Sequence, residues 1–115
     1  MANELTTTVA LEYEKGGVIQ RVYTSNTLTV IGTEVANHIQ SIGITEEAVA
    51  VSDMATQGYV YAKNLDSTNY VEIGTTGKLA VKLLAGESAV FRTGGALYAQ
   101  ANTGACRVHF IVVEN

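Results

Sequence analysis

Apolar and polar residues alternate with a period of two along most of the chain. Val9, Leu11 and Tyr13 alternate with Thr8, Ala10, Glu12 and Glu14, and Leu28 and Val30 alternate with Thr27 and Thr29. Leu79, Val81 and Leu83 share one face of a further run, with Ala80 and Lys82 on the other. In the last run Cys106, Val108, Phe110 and Val112 line one face, and Arg107 and His109 begin the opposite one. A strand points successive side chains to opposite faces, so this pattern matches strands rather than the 3.6-residue period of a helix. Eleven glycines and no proline punctuate the chain, separating short runs rich in Val, Ile, Thr and Tyr. That spacing predicts an all-β, antiparallel sandwich or barrel of about eight to ten strands with little or no helix.

Two segments need closer reading. In "ITEEAVAVSD", residues 44–53, Glu46, Glu47 and Ala48 suit the start of a helix, but Thr45 is not followed three residues on by Glu or Gln. Without that capping box, and with Val49 and Val51 alternating with Ala48 and Ala50, the segment reads as a strand. In the last run Ile111 and Val113 are apolar on the face opposite Phe110 and Val112. A strand apolar on both faces is either central and covered or packed against another subunit.

The stretch "GYVYAKNLDSTNYVEIG", residues 58–74, places two tyrosine-bearing runs around a polar cluster. Read as a hairpin closed by residues 64–69, it sets Lys63 opposite Tyr70, Ala62 opposite Val71, Tyr61 opposite Glu72 and Val60 opposite Ile73. Val60, Ala62, Val71 and Ile73 then face the core, and Tyr59, Tyr61, Lys63, Tyr70 and Glu72 form an outer face. A slip of one residue would mix the two sets. The cluster itself reads as a turn, because Asn and Asp satisfy neighbouring backbone groups. A calcium site needs six or more oxygen ligands, usually several carboxylates, and the loop offers one, Asp66. The tyrosine face suits a protein interface, and exposed aromatics beside polar groups also suit a carbohydrate.

Composition narrows the function classes. A chain of 115 residues fits one domain, here residues 1–115, with enough length for a core. Charged residues make up 16%, well below the usual quarter, which implies that part of the surface is covered by something other than water. The net charge is −4 and the seven basic residues are scattered, which argues against direct nucleic-acid binding. Cys106 is the single cysteine, so no intrachain disulfide forms. It reads as a buried structural thiol, since Arg107 points to the other face. The N-terminal segment has no basic region followed by an apolar one, so it is not expected to act as a signal peptide. No apolar run approaches a membrane span.

Converging catalytic groups are not visible. The two histidines, His38 and His109, lie in distant segments, and there is no His-x-His pair, nucleophile elbow or phosphate-cradling glycine loop. Glu46 and Glu47 are adjacent, and adjacent strand residues point to opposite faces. The expectation is a protein with no enzymatic activity, no cofactor and no metal site.

"MANELTTTVALEYEKG", "YVYAKNLDSTNYVEIG", "KLLAGESAVFR" and "ALYAQANTGACRVHFIVVE" together resemble small virion proteins of tailed bacteriophages. The resemblance covers nearly the whole chain and includes no catalytic signature. It implies a jelly-roll β-sandwich that is made in the host bacterial cytoplasm and carried in the virion. Within that group it points to a capsid decoration, or cement, protein bound to the major capsid protein or another virion protein, often as a homotrimer. A tail-associated or carbohydrate-binding virion module is the alternative, with Tyr59, Tyr61 and Tyr70 as the stacking platform. The interface expected from these readings comprises Tyr59, Tyr61, Lys63, Tyr70, Glu72, Ile111 and Val113, with no membrane contact.

Overall fold

The structure is a computed structural model and describes residues 4–51, 54 and 56–114. Among the described residues there are ten strands and no helix: β1 (Leu5–Lys15), β2 (Val18–Leu28), β3 (Val35–Ile42), β4 (Glu47–Ala48), β5 (Gln57–Asn64), β6 (Val71–Thr75), β7 (Lys78–Leu83), β8 (Ser88–Arg92), β9 (Tyr98–Ala101) and β10 (Cys106–Glu114). Every strand pair is antiparallel. Period-two alternation therefore read the fold class correctly. The sequence reading placed residues 1–115 in one sandwich domain. The chain divides into two compact units, Met1–Ile31 and Gly32–Asn115, and the sandwich occupies the second.

The first unit is a hairpin of β1 and β2, paired without a bulge from Leu5–Leu28 to Lys15–Val18. Its two-residue turn is Gly16-Gly17, with φ of 59° and 85°. Two successive positive φ angles match a type I′ turn, whose twist suits a hairpin and which residues with a Cβ adopt at a cost.

The second unit is built from two four-stranded sheets, ordered β3-β10-β5-β8 and β4-β9-β6-β7. Between β3 and β10 the chain changes sheet at every connection except the β6–β7 hairpin. This is the jelly-roll connectivity of two interleaved Greek keys. The core lies between the sheets and is filled by the inward members of each alternation, among them Val60, Ala62, Val71, Ile73, Val108, Phe110 and Val112, all fully buried.

The hairpin expected over residues 58–74 is not formed. β5 pairs with β10 and β8, β6 pairs with β7 and β9, and the segment between β5 and β6 crosses from one sheet to the other. The inward set was read correctly, because Val60, Ala62, Val71 and Ile73 are all buried. The pairing was not, since alternation reports which face of a strand is inward and not which strand lies beside it.

Residues 44–53 are strand only over Glu47–Ala48, and residues 52 and 53 lie outside the described residues. The Gln40 side chain takes the place of a neighbouring strand here. Its Nε2 donates to the Ala48 carbonyl at 3.1 Å and its Oε1 accepts from the Ala50 amide at 3.0 Å. A side-chain amide has the same donor and acceptor as a peptide unit, so it satisfies this backbone without a ladder.

Gly74 sits at the irregularity where β6 shifts register against β7. A Cβ at this position would press on the Lys78 carbonyl oxygen and would lie 3.0 Å from Leu79 Cα. Both obstacles are backbone, so the strand itself would have to move. Gly74→Ala is expected to cost about 1 to 3 kcal/mol, the usual range for overpacking, read as a lower urea midpoint with unchanged slope.

Candidate interaction surface

The outer face of the β3-β10-β5-β8 sheet gathers most of the residues that the sequence singled out. β10 and β5 run side by side in its centre, so Ile111 lies directly between Asn37 and Tyr61, and His109 between Ile39 and Lys63. On the far side of β5, Tyr61 adjoins Val90 and Tyr59 adjoins Arg92. Val113 lies beside Val35 at the end of the same face. Tyr59, Tyr61, Lys63, Ile111 and Val113 thus share one surface, as expected for the last strand's second apolar face. They are half-buried, whereas Val35 is 60% and Ile39 50% exposed, so apolar area extends across the whole sheet.

Tyr70 and Glu72 do not join this surface. Glu72 belongs to the opposite sheet, where it faces Lys82 and Gln100 across the strands. Tyr70 immediately precedes β6, and its ring carries the Lys82 ammonium 4.1 Å from its centre. These two residues are corrections to the expected interface, and their cause is the sheet crossing described above. Lys63 and Glu72 are consequently not partners across a common rim.

The gathered side chains hold one another in place. The Tyr61 and His109 rings meet edge to face at 5.6 Å, a favoured aromatic geometry. His109 Nε2 lies 2.7 Å from Asn37 Oδ1, which ties β10 to β3. The Arg92 guanidinium stands 4.7 Å from the Tyr59 ring centre, a cation–π distance. Such contacts restrict side-chain rotation, so a partner meeting this face has less entropy to remove.

Sequence reasoning missed Val35, Asn37, Ile39 and Val90. In "VANHIQSI" the outward set is Val35, Asn37, Ile39 and Ser41, and the inward set is Ala36, His38, Gln40 and Ile42. Both faces mix apolar and polar residues, so alternation carries no signal here. Gln40 and His38 are inward because β3 is an edge strand, and their polar atoms pair with each other at 3.2 Å.

The polar cluster after β5 is a turn held by its own side chains. Asp66 Oδ2 accepts from the Thr68 amide at 2.9 Å and the Asn69 amide at 2.6 Å. These two amides, Asn69 first, hold the Asp66 carboxyl below the ordinary aspartate range. The carboxylate that a cation would need already serves the backbone of the loop. Glu46 and Glu47 also work separately. Glu46 accepts from the Thr76 hydroxyl and, at 2.9 Å, the Gly77 amide, which hold its carboxyl below the usual range. Glu47 accepts from the Gly43 amide at 2.7 Å. Cys106 is fully buried, and burial, then the nearby Asp66 charge, raises its thiol above the ordinary range.

Among the described residues, a shallow cleft lined by Thr56, Gln57, Thr93, Gly94, Gly95 and Ala96 has no ionisable side chain. Comparison with known proteins yields no matching family model, no matching curated protein and no matching solved structure.

Proposed function

We propose that this chain is a structural protein of a tailed-phage virion, of the capsid decoration type, and that it binds its neighbour through the outer face of the β3-β10-β5-β8 sheet. The observation that carries the reading is the apolar breadth of that face: Val35, Ile39, Tyr61, Val90, Ile111 and Val113 cover it although the sandwich already has a filled core. Apolar surface of this extent marks an interaction site more often than a solvated sheet. The partner is a virion protein, with the major capsid protein first. The jelly roll itself supports the reading only generally, since the same architecture serves lectins and cupins as well as capsids.

A glycan-binding tail module is the competing function. Its three-tyrosine platform is not assembled, because Tyr70 stands just before β6 with its ring against Lys82 of β7, whereas Tyr59 and Tyr61 lie on β5 in the other sheet.

The test uses two variants, Tyr61→Ala and Ile39→Asp, in particle-incorporation and thermal-unfolding assays. Tyr61→Ala is expected to weaken incorporation by about 1 to 2 kcal/mol, roughly tenfold, as central aromatics of interfaces do. Ile39→Asp is expected to weaken it further by placing an unpaired carboxylate in the contact. Both should shift unfolding little, since neither side chain belongs to the core. Normal incorporation of both variants, or lost glycan binding with incorporation intact, would overturn the assignment.

A further inference from the structure

The β1–β2 hairpin has one face that the sandwich reading leaves unused. The register places Val9, Leu11, Tyr13, Val18 and Val22 on the same side, each at least 50% exposed. The other side carries the charges Glu12, Glu14 and Arg21. A two-stranded ribbon is marginally stable at best in water and gains stability when an apolar face is covered. We infer that this face pairs with the same face of a second copy of the chain, the two hairpins stacked face to face and antiparallel about a two-fold axis.

Two features select that occupant. The first is charge. Apart from Lys15 beside the turn, the face bears no ionisable group except the Tyr13 phenol, so its partner surface must also be uncharged, a condition that a second copy meets. The second is the order of residues along the ribbon. Antiparallel stacking sets the Leu11–Val22 pair over the partner copy's Val9–Thr24 level, where Leu11 meets valine and Val22 meets the threonine methyl. It sets Tyr13 and Gln20 over the level of Thr7 and Asn26, where phenol and amide meet hydroxyl and amide. It sets Lys15 and Val18 over the level of Leu5 and Leu28, where the lysine stem covers the leucines and its ammonium reaches water. Parallel stacking would bring the two Lys15 ammoniums together. Antiparallel stacking separates them by about 34 Å, ten residues of strand, well beyond the roughly 10 Å range of screened charges.

The contact is modest. A ribbon of two such strands is about 37 Å long and about 10 Å wide, so stacking removes on the order of 700 Å² of flat face from water. Standard stable interfaces bury about 1,200 Å² or more, so hairpin pairing is weak and depends on concentration. This pairing is independent of the virion reading and gives an even number of copies, whereas the trimer implied by the resemblance is odd.

The experiment is sedimentation velocity of the full chain across the micromolar to sub-millimolar range, with Leu11→Asp and, on the opposite face, Tyr23→Asp. The expected result is a concentration-dependent species of even copy number, two or six. Leu11→Asp should raise its dissociation constant at least tenfold, and Tyr23→Asp should leave it unchanged. A monomer or trimer throughout, or equal effects of the two variants, overturns the inference. Spin-label distances from Lys15→Cys give a second reading without touching the apolar centre, because Cys106 is fully buried and does not compete for label. Antiparallel stacking requires about 34 Å between the two labels, and a separation near 10 Å, the spacing of stacked sheets, overturns it.

Discussion

Replacement of Phe110 by alanine is expected to cost about 4 kcal/mol of folding free energy. Phe110 is the largest of the fully buried side chains and sits on β10, which is flanked by β3 and β5. Its register neighbours are Ala62 on one side and His38 on the other, and the His38 ring lies 6.0 Å from its own. Ala62 is too small to move into the space that the ring would vacate, and the backbones on both sides are fixed by ladder hydrogen bonds. The cavity therefore stays largely open, which puts the cost in the upper part of the usual range. A domain has about 5 to 15 kcal/mol in total, so the variant should lie close to its unfolding transition at room temperature. Urea unfolding followed by far-ultraviolet circular dichroism measures this directly. A loss below about 1 kcal/mol would mean that the sheets collapse around the site, and that the core is looser than the burial of Val60, Val108 and Val112 implies.

Asn64→Leu is expected to cost about 3 kcal/mol, although leucine has nearly the same size. Asn64 is fully buried at the end of β5, and its side chain is shared by three backbone groups. Its Nδ2 donates to the Asn69 carbonyl at 2.9 Å and the Leu83 carbonyl at 3.1 Å, and its Oδ1 accepts from the Asp66 amide at 3.0 Å. Its own backbone bonds Glu87 and Gly86, so this residue joins β5, the crossing loop and the β7–β8 turn. Leucine satisfies none of the three groups, and each buried polar group left unpaired costs about 1 to 3 kcal/mol. Asn64→Asp would keep the acceptor for Asp66 but would face two carbonyl oxygens with a carboxylate, so it should be no milder at neutral pH. For a domain of this size the leucine variant should melt about 12 to 20 °C lower. Amide exchange at residues 66–69 should rise in the same variant, because the loop loses its anchor. Slow exchange there, with the melting point reduced, would place the anchor in the Asp66 turn instead.

Asn64 also shows where sequence reading stops. In "KNLDSTN" it looks like one more turn residue, since Asn is common in exposed loops. Its burial becomes visible only when β5 and β7 are placed in opposite sheets and the loop between β5 and β6 is seen to bridge them. The same crossing explains why Tyr70 and Glu72 were assigned to the face of Tyr59 and Tyr61. Ile111 and Val113, by contrast, were read on local grounds as a second apolar face of the last strand, and the structure places both on the outer face of the β3-β10-β5-β8 sheet.

The amino-acid sequence by itself determined the local and one-dimensional features of this protein. Period-two alternation specified strands and, where one face is apolar, which face is inward, because a side chain's direction in a strand depends only on its position along that strand. Glycines marked breaks between the runs, and the Gly16-Gly17 pair makes the turn after β1, because positive φ is costly for other residues. Tertiary structure decided the partners: which strand lies beside which, where β5 and β6 part company, and that the first two strands pair only with each other as a unit of their own. Pairing joins residues distant in the chain, and many partners present the same alternating pattern to a given strand. The choice among them is made by the packing of two whole sheets on a common core, a quantity that no short stretch of sequence contains.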